Sequence, residues 1–536
     1  MLRQYIIDLK KEFNNYNKSK LVKDLLAGIT VAAVALPLAL AFGVSSGASA
    51  ASGLICAIIA GLVIGLLSGS SYQISGPTGA MSAILIAVAI QYGIQGIFVA
   101  GFLSGVILLI ASFLKVGKLV SFIPNAVITG FTSGIAIIIA SGQIDNFFGV
   151  YSEGSSIIEK ISYYIGNGFD ITFESLFFGV IVVLIMLFWP KKYNKVVPSS
   201  LVAIVVALLI NMIFNLSSLV VGDIPNTLLL DFRLDFGLLN LEEISKYIVP
   251  AISIAALGMI ESLLCGASAG KMKNEKLRAD QELFAQGIGN MIIPILGGVP
   301  ATAAIARTSV AIKAGGVTRL TSIFHSLTLI ASMFLLGNFM SNIPLAALAG
   351  VLMVTAYRMN EWSSIKYIFN KKLKISRIQF IVTMLATVFF DLTIAIIIGL
   401  FISMIMFVVR HSDLEIEISD INTDKIKVKN KKDLEDCKLV YVTGPVFFAN
   451  QEKFLNIFER LKDNKIIILS MRGVPSIDGS CLLELIDIIE TAKNKGQRIL
   501  LCSLQKQPKD TFNKLNLDDN EHVQIFWDAI SAIESI

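Results

Sequence analysis

Two ionisable side chains and one backbone break define the chemistry this sequence offers. Glu261 stands alone as an acid in the apolar run 247–265, and Arg307 stands alone as a base in the stretch Gly297 to Ile312. An ionised side chain inside hydrocarbon is costly and nearly always faces a protein-lined cavity, so an isolated Glu and an isolated Arg mark an ion pathway. Between them, Gly297, Gly298 and Pro300 interrupt apolar surroundings. Non-helical backbone at membrane depth is tolerated only where protein or water satisfies its polar groups. A helix restarting at Ala301 or Thr302 would aim free N–H groups and the positive end of its dipole into the same cavity, which suits an anion. No phosphate loop, nucleophile triad or metal-ligand cluster accompanies these residues, so neither an enzyme nor an ATP-driven pump is expected, and no cofactor or metal. Two plainer readings stay open: Glu261 as a hydrogen-bond partner for a neighbouring helix, and Arg307 ending its helix and reaching out to the cytoplasmic face.

The elements that must hold these groups are membrane helices. Of the 536 residues 54% are apolar and 16% charged, too hydrophobic for a soluble enzyme and too long for one domain. No Asp, Glu, Lys, Arg or His occurs from Leu25 to Leu114, whereas the chain from Ser412 onward holds 17 basic and 21 acidic residues. The expected division is a cytoplasmic leader over 1–20, a transmembrane domain over 21–411 and a soluble domain over 412–536. The basic surplus before Ser412 falls in loops and reads as membrane topology, not as nucleic-acid binding. Cys56, Cys265, Cys437, Cys481 and Cys502 form no CxxC pair and read as core residues.

Apolar runs fall near 25–42, 51–68, 77–90, 96–114, 124–142, 173–189 and 197–214, then near 247–265, 283–296, 301–312, 320–337, 343–357, 376–390 and 392–409. That makes about fourteen elements, two of which, those opening at Pro77 and Ala301, are too short for a bilayer that needs about 20 residues. The first twenty residues lack a signal-peptide pattern, which keeps the N-terminus inside. With that start, Lys115, Lys118, Lys271, Lys273, Lys276 and Arg278 fall in cytoplasmic loops, and Asp145, Glu153, Asp223 and Asp231 fall opposite, as the positive-inside rule requires.

The sequence also repeats. Pro77-Thr78-Gly79-Ala80 and Pro300-Ala301-Thr302-Ala303 lie 223 residues apart, and PNAVITG at 124–130 matches PLAALAG at 344–350 at a similar offset. Two repeats of seven elements follow, and because seven is odd they are inverted. Inverted repeats bring broken helices tip to tip at the bilayer midplane, where two positive helix ends share one anion. After Asp413 the pattern changes. LEIEI, KIKVK, KLVYVTG, KIIILSM and RILLCSL read as strands, while FLNIFERLK, CLLELIDIIETAKN and the terminal VQIFWDAISAIES read as helices, an α/β domain.

Several stretches together resemble the sulfate permease (SulP) anion transporters: AGITVAAVALPLALAFGVSSG at 27–47, QISGPTGAM at 73–81, ELFAQGIGN at 282–290, GGVPATAAIARTSVAIKAGG at 297–316, and a tail like a STAS domain. The likeness covers nearly the whole chain and looks closest to the bicarbonate-carrying branch. It implies a polytopic α-helical fold of seven plus seven inverted elements with two half-helices, and a cytoplasmic STAS domain. It implies an anion held by Phe42, Thr78, Gly79, Ala80, Ala303, Ala304 and Arg307, with Glu261 and Cys265 at the coupling-ion position. Leu38 stands where many members carry Gln. Glu261 and Cys265 stand where sodium-dependent bicarbonate carriers have Asp and Thr, which weakens a hard-oxygen sodium site and favours a proton. In the tail, SIDGSCL at 476–482 resembles the STAS loop, but Gly479 occupies the place of the phosphorylated Ser, and Ser480 reads as part of a helix cap. His325 reads as a packed residue and Asp391 as an N-cap.

The expected function is secondary active transport of an inorganic anion, sulfate or bicarbonate, coupled to protons or sodium, in the cell membrane. The alternatives are a dicarboxylate carrier, an uncoupled channel or exchanger of the same fold, and a nucleobase carrier. The expected partners are the small anion, the coupling ion, the lipid bilayer and a second copy of the chain, with no nucleic acid.

Overall fold

The computed structural model describes residues 2–118, 123–153, 157–190, 192, 197–214, 216–239, 241–390, 392–421, 434, 436–514 and 524–536. Asp391 and the KIKVK segment, expected as a cap and a strand, lie outside the described residues. The chain forms two compact units, Met1–Leu400 and Phe401–Ile536, divided inside the last apolar helix.

The first unit opens with α1 (Leu2–Glu12), α2 (Lys18–Ser45) and α3 (Ala50–Ile59), which runs through a π-helical turn (Ala60–Ile64) into the short α4 (Gly65–Leu67). Strand β1 (Ser75–Gly76) then leads into α5 (Gly79–Phe113), followed by α6 (Asn125–Gly142), α7 (Ile144–Phe148), α8 (Ile157–Asn167), α9 (Phe173–Phe188) and α10 (Ser199–Phe214). The second half holds α11 (Leu241–Lys273), α12 (Ala279–Ile295), strand β2 (Thr302–Ala303) and α13 (Ile305–Lys313). After them come α14 (Leu320–Met340), α15 (Leu345–Met359), α16 (Trp362–Asn370), α17 (Lys374–Phe389) and α18 (Leu392–His411). Six helical stretches among the described residues are long and apolar enough to cross a membrane, and four shorter apolar helices accompany them. Helices are the form such runs must take, because each backbone group then bonds within its own segment.

Side-chain caps set where several helices begin. Asn17 accepts from the Lys20 amide, Ser49 from Ser52 and Thr78 from Met81. The segments expected at 77–90 and 96–114 form one run, α5, broken at Gly93, whose φ of 69° and ψ of −176° are non-helical. A Cβ there would meet nothing within 4 Å, so the glycine serves backbone conformation and not close packing.

The repeat is visible in the caps. Pro124 and Pro344, extended at φ −64° and −63°, start α6 and α15. The glycine ending each P-x-A-x-x-x-G is a contact point: a Cβ at Gly130 would stand 2.5 Å from the Phe380 carbonyl oxygen, and one at Gly350 would stand 2.9 Å from that of Gly179. Small residues at these positions let α6 approach α17 and α15 approach α9.

The two expected half-helices are not equal in their starts. α5 begins two residues after Pro77, whereas α13 begins at Ile305 and not at Ala301 or Thr302. The chain stays extended because Thr302 and Ala303 pair antiparallel with Gly76 and Ser75. Ala301 is also held at both backbone groups: its N–H donates to Asn290 Oδ1 at 2.7 Å, and its carbonyl accepts from Asn290 Nδ2 at 2.9 Å.

In the second unit a five-stranded sheet runs in the order β3 (Glu415–Asp420), β4 (Cys437–Thr443), β5 (Ile466–Gly473), β6 (Arg498–Cys502), β7 (Gln524–Phe526). β3 is antiparallel to β4 and the remaining pairs are parallel. Helices α19 (Gln451–Arg460), α20 (Gly479–Asn494), α21 (Lys506–Lys514) and α22 (Ala529–Glu534) complete it. The end of the chain departs from expectation. Gln524, Ile525 and Phe526 form an edge strand on β6, and the helix starts only after Asp528, whose carboxylate caps the Ser531 amide. α21, rich in lysine and polar residues, was not anticipated.

Candidate functional site

The site lies where β1 and β2 cross, with the starts of α5 and α13 on either side and α11 alongside. Thr78 is the hinge of the arrangement. Its Oγ1 caps α5 by accepting from the Met81 amide at 3.4 Å, and it donates to Glu261 Oε2 at 2.9 Å. The amides of Gly79 and Ala80, the next donors of α5, have no partner among the described residues. That is the usual condition of a helix N-terminus, where the first N–H groups lack carbonyls to bond.

Phe42, near the end of α2, is buried beside them. A Cβ at Gly79 would stand 3.1 Å from Phe42 Cε1 and 2.2 Å from Ile139 Cδ1, so the α5 amides are lined by α2 on one side and α6 on the other. The Phe42 carbonyl accepts from Ser46 Oγ at 2.6 Å and Ser82 Oγ at 3.2 Å, tying α2 to the first turn of α5.

Arg307, in the first turn of α13, is only 2% exposed. It does not reach out to an aqueous face, so the snorkelling alternative does not hold. Its Nη2 donates to the Pro77 carbonyl at 2.5 Å, while Nη1 has no partner among the described residues. A buried cationic donor without an acceptor is costly, and an anion at this place would supply one. Thr308 adds a second tie between the repeats, accepting from the Ile74 amide at 3.0 Å and from Cys265 Sγ at 3.4 Å.

The residues expected from the sequence therefore fall into two groups. Thr78, Glu261, Gly79, Ala80 and Phe42 come together directly, and Arg307 reaches them through Pro77. Cys265 lies one turn beyond Glu261 with its thiol on Thr308. Ala303 and Ala304 are at the crossing, but their amides are occupied: Ala303 N–H donates to Ser262 Oγ at 3.2 Å and Ala304 N–H to the Ile74 carbonyl at 3.0 Å. On the α13 side, the amides without backbone partners among the described residues are those of Ile305, Ala306 and Arg307. This follows from the later helix start.

Not anticipated is the frame behind the site. Glu282, Gln286 and Asn290 follow one another at four-residue spacing on α12 and are all buried, which places them in a row on one helix face. Glu282 accepts from Ser68 Oγ at 2.6 Å and the Gly69 amide at 3.0 Å. Gln286 donates to Ser75 Oγ at 3.0 Å on β1, and Asn290 clamps Ala301 beside β2. Gln73 donates to the Ser262 carbonyl at 2.8 Å, and Ser262 pairs with Thr302 at 3.2 Å. The spacing of three polar residues in an apolar helix was a readable signal. His325 is buried with neither ring nitrogen partnered among the described residues, in α14 and against Gly61 of the π-helical turn.

In the second unit, Asp478 caps α20. Its Oδ1 accepts from the Cys481 amide at 2.9 Å and Oδ2 from the Phe448 amide at 2.8 Å. Burial pushes its carboxyl up, but these backbone donors outweigh it and hold the group below the usual aspartate range.

Residues 21–387 match the sulfate permease family and residues 428–528 match the STAS domain. The putative sulfate transporter YvdB of Bacillus subtilis is 34% identical over 530 residues, covering 96% of this chain and 98% of the relative. The bicarbonate transporter BicA of Synechocystis is 28% identical over 522 residues, covering 94% of this chain and 92% of the relative. The solved transmembrane domain of a cyanobacterial bicarbonate transporter BicA superposes with a TM-score of 0.64 at 27% identity, over 73% of this chain and 98% of that one. The overall structure of SLC26A9 shares the fold at a TM-score of 0.80 and 19% identity, over 97% of this chain and 90% of that one.

Proposed function

Given that this chain belongs to the sulfate permease family of membrane anion transporters and carries a C-terminal STAS domain, we propose that it is a secondary active carrier of a small inorganic oxyanion, sulfate or bicarbonate. The observation that carries the proposal is the meeting, beside the β1–β2 pairing, of α5 amides without partners among the described residues, a buried guanidinium whose Nη1 has none there either, and a carboxylate joined to α5 through Thr78.

In this reading the anion accepts from the Gly79 and Ala80 amides and from Arg307 Nη1, with the first turn of α13 facing it across the crossing. Phe42 walls the site and excludes water. Glu261 supplies the coupling. With Arg307 charged and Glu261 ionised the empty site is electrically balanced, and adding an anion leaves it with uncompensated negative charge in a weakly screening surrounding. A monovalent cation taken up at Glu261 restores the balance for bicarbonate and halves the excess charge for sulfate, so anion and cation move together. A proton is favoured over sodium, because Cys265 offers a soft sulfur already engaged by Thr308 where a sodium site needs hard oxygen.

The remaining assignments belong to the same proposal: residues 21–411 form the transport domain in the cell membrane, the leader 1–20 and the STAS domain 412–536 lie in the cytoplasm, and the working unit is a homodimer. The test is flux into proteoliposomes across a panel of sulfate, bicarbonate, dicarboxylates and nucleobases, with proton and sodium gradients imposed separately. Uphill sulfate or bicarbonate uptake driven by one gradient supports the proposal. Uptake indifferent to both gradients makes the protein an uncoupled channel or exchanger.

A further inference from the structure

A cavity lies against a face of α11 turned away from Ser262 and Cys265. At about 100° per residue, Leu263 and Ala267 point about 120–160° away from Glu261, whereas Leu264 and Lys271 lie about 60–80° from it on the side away from Cys265. They face a space of about 620 Å³ between α11, the start of α12 and the turn at Gly117 and Lys118. Leu263, Leu264, Ala267 and Leu277 form its apolar walls, and the exposed Lys271 and Lys276 form its rim. Glu275 is the one acid among the described lining residues, and its carboxylate is turned onto Ser71, accepting from the amide at 3.1 Å and the hydroxyl at 2.5 Å. Lys271 and Lys276 therefore have no competing carboxylate among the described lining residues.

An apolar wall with a cationic rim, at the end of helices that cross a membrane, matches one ligand chemistry: an acyl chain below and a negatively charged head group above. We propose that this cavity binds an anionic phospholipid. A zwitterionic lipid would use the walls but gain little from the rim, and a soluble phosphate compound would use the rim but not the walls. The occupant would bear on transport, because the cavity and the candidate site share α11. Leu277 packs onto Gly266 of that helix, and the Gly266 carbonyl accepts from Tyr72 Oη at 2.9 Å, next to Gln73 on the way to β1.

The test compares retention of dioleoyl phosphatidylglycerol and dioleoyl phosphatidylcholine by the purified full-length protein, read by native mass spectrometry, with melting temperature as the check on folding. The wild type is expected to prefer phosphatidylglycerol by about fivefold for each lysine engaged. Lys271→Gln with Lys276→Gln should bring the two lipids near parity, and Ala267→Trp should lower retention of both. Lys366→Gln on α16, with Lys371→Gln just after its end, should leave the preference intact. Equal retention by the wild type, an unchanged preference in the Lys271/Lys276 variant, or equal loss in the α16 control overturns the proposal. Displacement of phosphatidylglycerol by millimolar glycerol phosphate overturns it too, because the ligand would then be a soluble phosphate.

Discussion

Replacing Arg307 separates its two roles. Arg307→Gln removes the Nη2 donor from the Pro77 carbonyl, a bond of 2.5 Å between the first turn of α13 and the start of α5. A buried carbonyl left unpaired costs about 1–3 kcal/mol, which appears as a lower melting temperature with or without anion. The substitution also removes the charge at Nη1. A charge-assisted hydrogen bond to the anion is worth about 1.5–3 kcal/mol, so the anion dissociation constant should rise by about 10-fold to 150-fold. Arg307→Lys keeps a charge but, with one ammonium, cannot bridge Pro77 and the anion together, and it should fall between the two. Radiolabelled-anion binding to detergent-purified protein gives the affinity, and a thermal melt of the same preparations gives the stability. A folded Arg307→Gln that binds anion with wild-type affinity would reduce Arg307 to a tie between the repeats and refute its place in the site.

Other residues make separable predictions. Thr78→Val keeps the shape but loses both the cap on Met81 and the donor to Glu261; with an N-cap worth about 1 kcal/mol, anion affinity should weaken about fivefold, whereas Thr78→Ser stays near wild type in the same binding assay. Asn290→Leu leaves both backbone groups of Ala301 unpaired and should cost about 2–6 kcal/mol, seen as a lower melting temperature; an unchanged melt would mean that β2 is held by its pairing to β1 alone. Asp478→Ala should speed amide hydrogen exchange in the first turn of α20 in the full chain, while Ser480→Ala should not, since Asp478 supplies the cap. The Asp478 carboxyl sits below its usual range, so the stability it lends is present above the unfolded value and lost as pH falls through the folded one, and exchange in that turn should rise on acidification.

The parts of the site legible in the sequence were those that break a rule of the membrane interior. Glu261, Arg307 and the Gly-Pro interruptions stand out because hydrocarbon tolerates none of them without a protein partner. Pro124 and Pro344 were legible as members of a repeat, and their place as the starts of α6 and α15 came with the structure. The later start of α13 was not, because it depends on Thr302 and Ala303 pairing with residues more than 200 positions earlier, and local pattern carries no information on such pairing. The α12 row of Glu282, Gln286 and Asn290 was present as a motif but acquires meaning only when its four-residue spacing is laid on a helix facing β1. At the chain end, Gln524 to Phe526 is too short an apolar run for its period to distinguish strand from helix, and its place on β6 decided the matter.

The coupling role of Glu261 is the central claim, and one variant tests it most directly. Glu261→Gln keeps a partner for Thr78 while fixing the site in the uncharged form that a bound proton would give. Reconstituted in proteoliposomes beside the wild type, it should still exchange labelled anion across the membrane at a comparable rate, while uphill uptake driven by an imposed proton gradient disappears. Gradient-driven uptake by Glu261→Gln at the wild-type level would contradict the account and place the coupling site elsewhere in the protein.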